Sequence, residues 1–285
     1  MAAAALSACG GTDSPYVDVV DVNRNDNANN AHIHAEYARL EFPRLKAGAT
    51  SRVLVHYDEN QAVNYCTEWD DAKKSQRWSC YQMHRANLAQ KTSRYESDRN
   101  QYPQDELIPA EYRFEQDPYR NSGYDHGHIC PSGDRLYSAT ANYQTFFMSN
   151  MQPQVNGFNA GVWLQMENAV RGWAKQNNYS FADTLYVCKG GTIDSPDLVH
   201  TVTGKGLIVP KYFFMAVMRV KGGQYNAMGF WVEHKSNKDK ALAKYAVSID
   251  RLEQLTGLDF FCNLPDKVEN AVEAMPVNET LWGLD

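Results

Sequence analysis

The 285-residue chain has no CxxC pair, no HxxxH and no internal repeat. It also has no run approaching the ~20 apolar residues that a membrane-spanning helix needs. Without paired thiolates or an imidazole pair on a helix, a zinc–thiolate centre is unsupported. Positive charge is not in excess either: the formal net charge is −6, so no global field draws in a polyanion. A polyanionic partner would have to be held by a local basic patch. What is present, 43% hydrophobic and 22% charged residues, is the balance of a globular protein long enough to bury a sizeable core.

Cysteine is sparse, at positions 9, 66, 80, 130, 188 and 262. Cys66 and Cys80 bracket TEWDDAKKSQRWS, which allows a disulfide across a hairpin in an oxidising compartment; buried thiols are the equal alternative. Leu6-Ser7-Ala8-Cys9 resembles a bacterial lipobox, although no Lys or Arg precedes it. The expectation is a lipid anchor at Cys9 and a secreted or cell-envelope location. Residues 1–34 then form the anchor and a spacer rich in Asn, Asp and Gly.

From 35 to 285 the chain reads as a single domain. Strand-like runs occur at 52–57, 62–66 and 78–82, and TLYVCKGGTI at 184–193 reads as a buried strand. Residues 213–234 read as a hairpin turning at Lys221-Gly222-Gly223. Val162, Met166, Val170 and Trp173 recur at helical spacing and make one apolar stripe. SIDRLEQLTG predicts a second helix that stops at Gly257. Residues 83–124, with prolines at 103, 109 and 118, predict long loops beside a cleft. Helices and strands interleave without a βαβ rhythm, which predicts an α+β fold.

Chemistry concentrates in two places. In SGYDHGHICPSGDR, residues 122–135, an extended backbone would point His126 and His128 to the same side. A metal pair, a base with a neighbour and a structural hydrogen-bonding pair all fit that tripeptide alone. Downstream, Asn159, Glu167 and Arg171 would share one flank of a helix, offering an amide oxygen, a carboxylate and a guanidinium. Hard oxygen donors favour Mg²⁺, Mn²⁺ or Ca²⁺ over zinc, while a solvated Glu–Arg pair is the plain alternative.

DHGHICPSGDR followed by SNMQPQVNGFNAGVWLQME resembles the DNA/RNA non-specific endonuclease family, and SIDRLEQLTGLDFF resembles its closing helix and strand. The resemblance covers roughly residues 50 to 265. It implies a ββα-metal nuclease fold with a central, mostly antiparallel sheet flanked by helices. It also implies hydrolysis of phosphodiester bonds in DNA and RNA through contacts to the phosphate backbone. By position it makes His128 the general base and Asn159 the direct ligand of Mg²⁺, with Mn²⁺ or Ca²⁺ as alternatives. Glu167 would act on that ion through water, and Asn150 would be a polar residue of the site floor. Arg171 would lie near the phosphate, joined by an upstream arginine, Arg99 or alternatively Arg94. His126 departs from the pattern by standing where the family has arginine. A nuclease-fold protein that binds nucleic acid without cutting it is therefore the rival reading, and a zinc protein built on His126 and His128 a third.

Overall fold

Alternation along the segment YFFMAVMRVK decides the architecture. Phe213, Met215 and Val217 enter one buried cluster while Phe214, Ala216 and Met218 enter another, so this strand is covered on both faces. The computed structural model describes residues 24–46, 48 and 50–285. Seven strands form one sheet in the order β1-β2-β3-β6-β9-β10-β11, each pair antiparallel. They are β1 (Ser51–Tyr57), β2 (Val63–Asp70), β3 (Ser75–Met83), β6 (Thr184–Gly191), β9 (Tyr212–Lys221), β10 (Gln224–Glu233) and β11 (Ala246–Val247). Two smaller ribbons pair β4 (Asp125–His128) with β5 (Met151–Gln154), and β7 (Val199–Val202) with β8 (Ile208–Pro210).

The helices are α1 (Ala139–Gln144), α2 (Leu164–Tyr179), α3 (Ile249–Thr256), α4 (Asp266–Glu273) and α5 (Glu279–Trp282). On one face of the sheet, Met166, Val170 and Trp173 of α2 pack against Leu185, Val187 and Met215. On the other, Ile249 and Leu252 of α3 and Val272 of α4 cover Cys80, Cys188 and Ala216. Burying such side chains supplies roughly 1.5–3 kcal/mol each. The hairpin turns where Gly222 (φ +55°) and Gly223 (φ +78°) take the left-handed backbone that such a turn requires. Gly257, at φ +71°, caps α3 as its sequence predicts.

Two expectations are corrected, and one pair of alternatives is decided. The apolar stripe from Val162 does not lie on one continuous helix: Asn159–Trp163 forms a π-type turn, with Gly161 at φ −104° and ψ −120°. The Asn237 carbonyl enters there and accepts from the Val162 N–H (2.7 Å), and a Cβ on Gly161 would lie 2.0 Å from that oxygen. Cys66 and Cys80 face each other across β2 and β3, with Cys188 next in line, but they are free and buried thiols. They pack as small apolar groups, so of the two equal alternatives the buried thiols are what the described residues show. Residues 24–29, which composition placed in the spacer, lie against the α3–α4 connection. Asn25 Nδ2 donates to the carbonyls of Cys262 (3.1 Å) and Leu264 (2.6 Å). Asparagine side chains that bond to main-chain carbonyls thus replace apolar contacts in this segment. The lipobox, Cys9 and spacer residues 10–23 lie outside the described residues. No helix among the described residues is long and apolar enough to cross a membrane.

Candidate active site

The ribbon β4–β5 and helix α2 together frame a cleft of about 560 Å³. His126, His128, Asn159, Glu167 and Arg171 all line it, with Arg94, Tyr102 and Asp125. Five residues separated by up to 45 positions therefore meet at one surface depression. Asn150 and Arg99 are not among its walls; of the two upstream arginines considered, Arg94 reaches the cleft.

His128 ends β4 opposite Met151. Its Nε2 is shielded from solvent and has no hydrogen-bond partner. No donor among the described residues competes for Nε2, which is therefore available to accept a proton. Phe146 meets the ring edge-on (4.9 Å between centroids). Burial, reinforced by the Arg94 charge, pushes the imidazolium pKa down to about 3. At neutral pH the ring is an uncharged proton acceptor.

Asn150 carries out a task beneath His128 that its sequence position did not disclose. Its Oδ1 accepts from the Cys130 N–H (2.8 Å), and its Nδ2 donates to the carbonyls of Cys130 (2.8 Å) and Thr145 (2.7 Å). Fully buried, it clamps the chain two residues beyond the histidine and does not face the cleft.

His126 is held in a stack of three rings, between Tyr102 (3.6 Å, 5° between planes) and Tyr119 (4.2 Å, 26°). Its Nε2 lies 3.1 Å from both carboxylate oxygens of Asp117. Burial lowers its pKa, with Asp117 partly opposing the shift. Neither histidine belongs to a cluster of three or more ligand groups among the described residues, so the zinc reading gains no support.

Asn159 donates from Nδ2 to Asp125 Oδ2 (3.1 Å), an oxygen that also accepts from Asn156 Nδ2 (2.9 Å). The carboxamide oxygen of Asn159 is thereby left uncommitted. Arg171 donates from Nε to Asp134 Oδ1 (2.8 Å), and Tyr81 holds the other oxygen of Asp134 (3.0 Å). Gly133 lies directly beneath this guanidinium, where a Cβ would come 2.9 Å from Nη2 and push the arginine aside.

Glu167 pairs with Lys189 Nζ (3.3 Å), a lysine with no exposed surface that sits 4.5 Å over the Trp163 ring. Burial raises the Glu167 pKa while Lys189 opposes the rise. Sequence reasoning missed Lys189; its one signal was a cation inside the otherwise apolar TLYVCKGG. Lys189→Met is expected to lower stability by about 3 kcal/mol, because it strands a buried carboxylate. Adding Glu167→Leu should recover much of that loss in urea denaturation. An unchanged midpoint in the single variant would rule out a buried ion pair.

Comparison with known proteins gives a consistent set of likenesses. A family model described as DNA/RNA non-specific endonuclease matches residues 48–267. Nuclease C1 of Cunninghamella echinulata var. echinulata is 29% identical over 172 residues, 59% of this chain and 68% of that protein. The mitochondrial nuclease of Saccharomyces cerevisiae is 34% identical over 185 residues, 60% of this chain and 56% of that protein. The chain thus spans 56% to 68% of the length of these two relatives. A crystal structure of the EndoG/EndoGI complex aligns with a TM-score of 0.62 at 24% identity, over 74% of this chain and 86% of that chain, a likeness of fold.

Proposed function

The chain belongs to the DNA/RNA non-specific endonuclease family, and from that membership we propose that it hydrolyses internal phosphodiester bonds of DNA and RNA. In this reading His128 is the general base and a divalent cation is held at Asn159. The supporting observation is the shared cleft: an uncharged imidazole with a partnerless Nε2 borders the same 560 Å³ as an uncommitted carboxamide oxygen and two guanidinium groups.

The donor chemistry fits such a cation. Asn159 offers a neutral oxygen and Glu167 a carboxylate, both hard ligands suited to Mg²⁺, with Mn²⁺ or Ca²⁺ also accommodated. Asn159 would hold the ion directly and Glu167 through water. A bound ion would neutralise charge on the phosphate and on the leaving oxygen.

The chain's own groups do the rest. His128 Nε2 takes a proton from water as that water attacks phosphorus, and Asn150 keeps the strand end from drifting. Arg94 and Arg171 face the negative charge that builds on the phosphate. Arg94 makes no ion pair among the described residues and rests on the Phe146 ring (4.7 Å), whereas the Arg171 charge is shared with Asp134. Because the cations address phosphate, neither base sequence nor sugar is discriminated. Uncharged His126 adds a ring wall in place of a positive charge.

Incubation with supercoiled plasmid and with RNA should show cleavage of both, abolished by EDTA. Cleavage that survives EDTA would remove the cation from the mechanism. The binding-only reading is favoured by one observation, the engagement of His126 by Asp117 where the family has a permanent cation. His126→Arg separates the two. A working enzyme should change its rate only in degree, whereas an inactive binder should gain cleavage from nothing.

A further inference from the structure

A second group of ionisable side chains lies on the face of the sheet away from α2, where α4, the α3–α4 connection and residues 24–29 meet. Carboxylate oxygens of Asp259, Glu269 and Glu273 lie within 4.8 Å of one another. Glu269 is 4% exposed and Glu273 7%. No ion pair reaches any of the three among the described residues; the nearby Arg24 pairs with Asp26 and Asp266.

Three atoms here have no hydrogen-bond partner among the described residues although they are shielded from water, Glu273 Oε1, Asn27 Oδ1 and Asn25 Oδ1. Glu273 is the decisive one: its side chain is more than nine-tenths buried, belongs to the carboxylate group, and has an oxygen, Oε1, without a hydrogen-bond partner among the described residues. Such a group costs stability unless something positive meets it. Asn27 sits on the same cluster, donating from Nδ2 to Glu269 Oε1 (2.9 Å) and Asp259 Oδ2 (3.2 Å). A half-turn of that amide exchanges its nitrogen for its oxygen.

We propose that Asp259, Glu269 and Glu273, with the Asn27 carboxamide, form a calcium-type cation site separate from the cleft. The donors are all oxygen, three carboxylates and one amide, which suits the flexible shell of Ca²⁺ of six to eight oxygens. Mg²⁺ demands near-octahedral geometry and keeps its waters, so it is disfavoured. Burial and mutual repulsion agree, raising the Glu269 pKa to about 7 and the Glu273 pKa to about 9. An adjoining set, Asp250 and Glu253 with Glu273, is the weaker candidate, because Glu253 Oε1 already accepts from the Phe260 N–H (2.7 Å). A cation among Asp259, Glu269 and Glu273 would tie the segment at Asn27 to α4. Nothing in this depends on the chemistry of the cleft.

The test is thermal unfolding of the full chain after EDTA treatment and dialysis, with CaCl2 or MgCl2 alone added. At a hundred times its Kd, Ca²⁺ should raise Tm by roughly 5–10 °C, and Mg²⁺ by much less. Glu273→Gln, a near-isosteric change that keeps the fold, should abolish the Ca²⁺ shift, as should Asp259→Asn. Asn159→Ala should retain it, since that residue belongs to the cleft. The site is refuted if wild type shows no shift, or if the shift survives in both Glu273→Gln and Asp259→Asn. It is equally refuted if Asn159→Ala loses the shift, or if Glu253→Gln loses it while Asp259→Asn keeps it.

Discussion

His128→Ala is expected to lower kcat/KM for plasmid nicking by about 10²–10⁴-fold, the span general-base catalysis commonly covers, with an unchanged circular dichroism spectrum. The fold should survive because Nε2 holds nothing in the protein, while the structural bond at this position, from Trp163 Nε1 to the His128 carbonyl (3.2 Å), uses the main chain. The pH dependence sharpens the expectation. With its pKa pushed down to about 3, His128 stays unprotonated from neutral pH into the acid range. Its acid limb in kcat/KM should then lie far below the ordinary histidine value near 6.5. The stability effect has a definite sign. The unfolded histidine binds a proton below about pH 6.5 and the folded one does not, so this residue weakens the fold as pH falls through that window. A variant that nicks at the wild-type rate would remove His128 from the chemistry. An acid limb near pH 6.5 that disappears in the variant would show instead that the histidine keeps an ordinary basicity.

Asn159→Ala is expected to cost about 10²–10³-fold in activity at low Mg²⁺, the loss typical of deleting one preorganised electrostatic group. Raised Mg²⁺ or Mn²⁺ should restore part of it, since weakened affinity yields to mass action while a missing base does not. Asn159→Asp provides the counterpart. It keeps an oxygen donor but sets a second carboxylate against Asp125, with which the present amide hydrogen-bonds (3.1 Å). It should therefore bind the cation while shifting the position of Asp125. Activity titrations against Mg²⁺ decide the matter: a loss in Asn159→Ala that no cation concentration relieves would remove this amide as a ligand.

The parts of the molecule that announce themselves in sequence are those governed by local rules. The apolar spacing of Met166, Val170 and Trp173 requires one helical face, and Gly222-Gly223 supplies the backbone its turn demands. His128, Glu167 and Arg171 could be assembled from motif spacing, and all three border the cleft. What stayed hidden depends on contacts between distant segments. Lys189 reads as an interruption in an apolar strand until Glu167 and Trp163 are seen beside it. Spacing alone prefers Arg99 to Arg94, yet Arg94 is the one that lines the cleft, since residues 83–124 carry no periodicity that fixes a direction for either. Asn150 reads as a polar residue of the site floor, but spacing says nothing about the main-chain groups of Cys130 and Thr145 that it holds. The bend at Gly161 was invisible for the same reason, being imposed by a carbonyl 76 positions further on.

That bend has a mechanical consequence. The amide at 159 and the carboxylate at 167 lie on either side of the Gly161 bend, which two main-chain bonds tie to Asn237: the Val162 N–H donates to the Asn237 carbonyl (2.7 Å), and the Asn237 N–H donates to the Gly157 carbonyl (3.0 Å). A displacement of the loop bearing Asn237 would slide one donor relative to the other without unwinding a turn of α2. In the proposed reading, the spacing of the two donors for the cation would therefore depend on a loop outside the cleft.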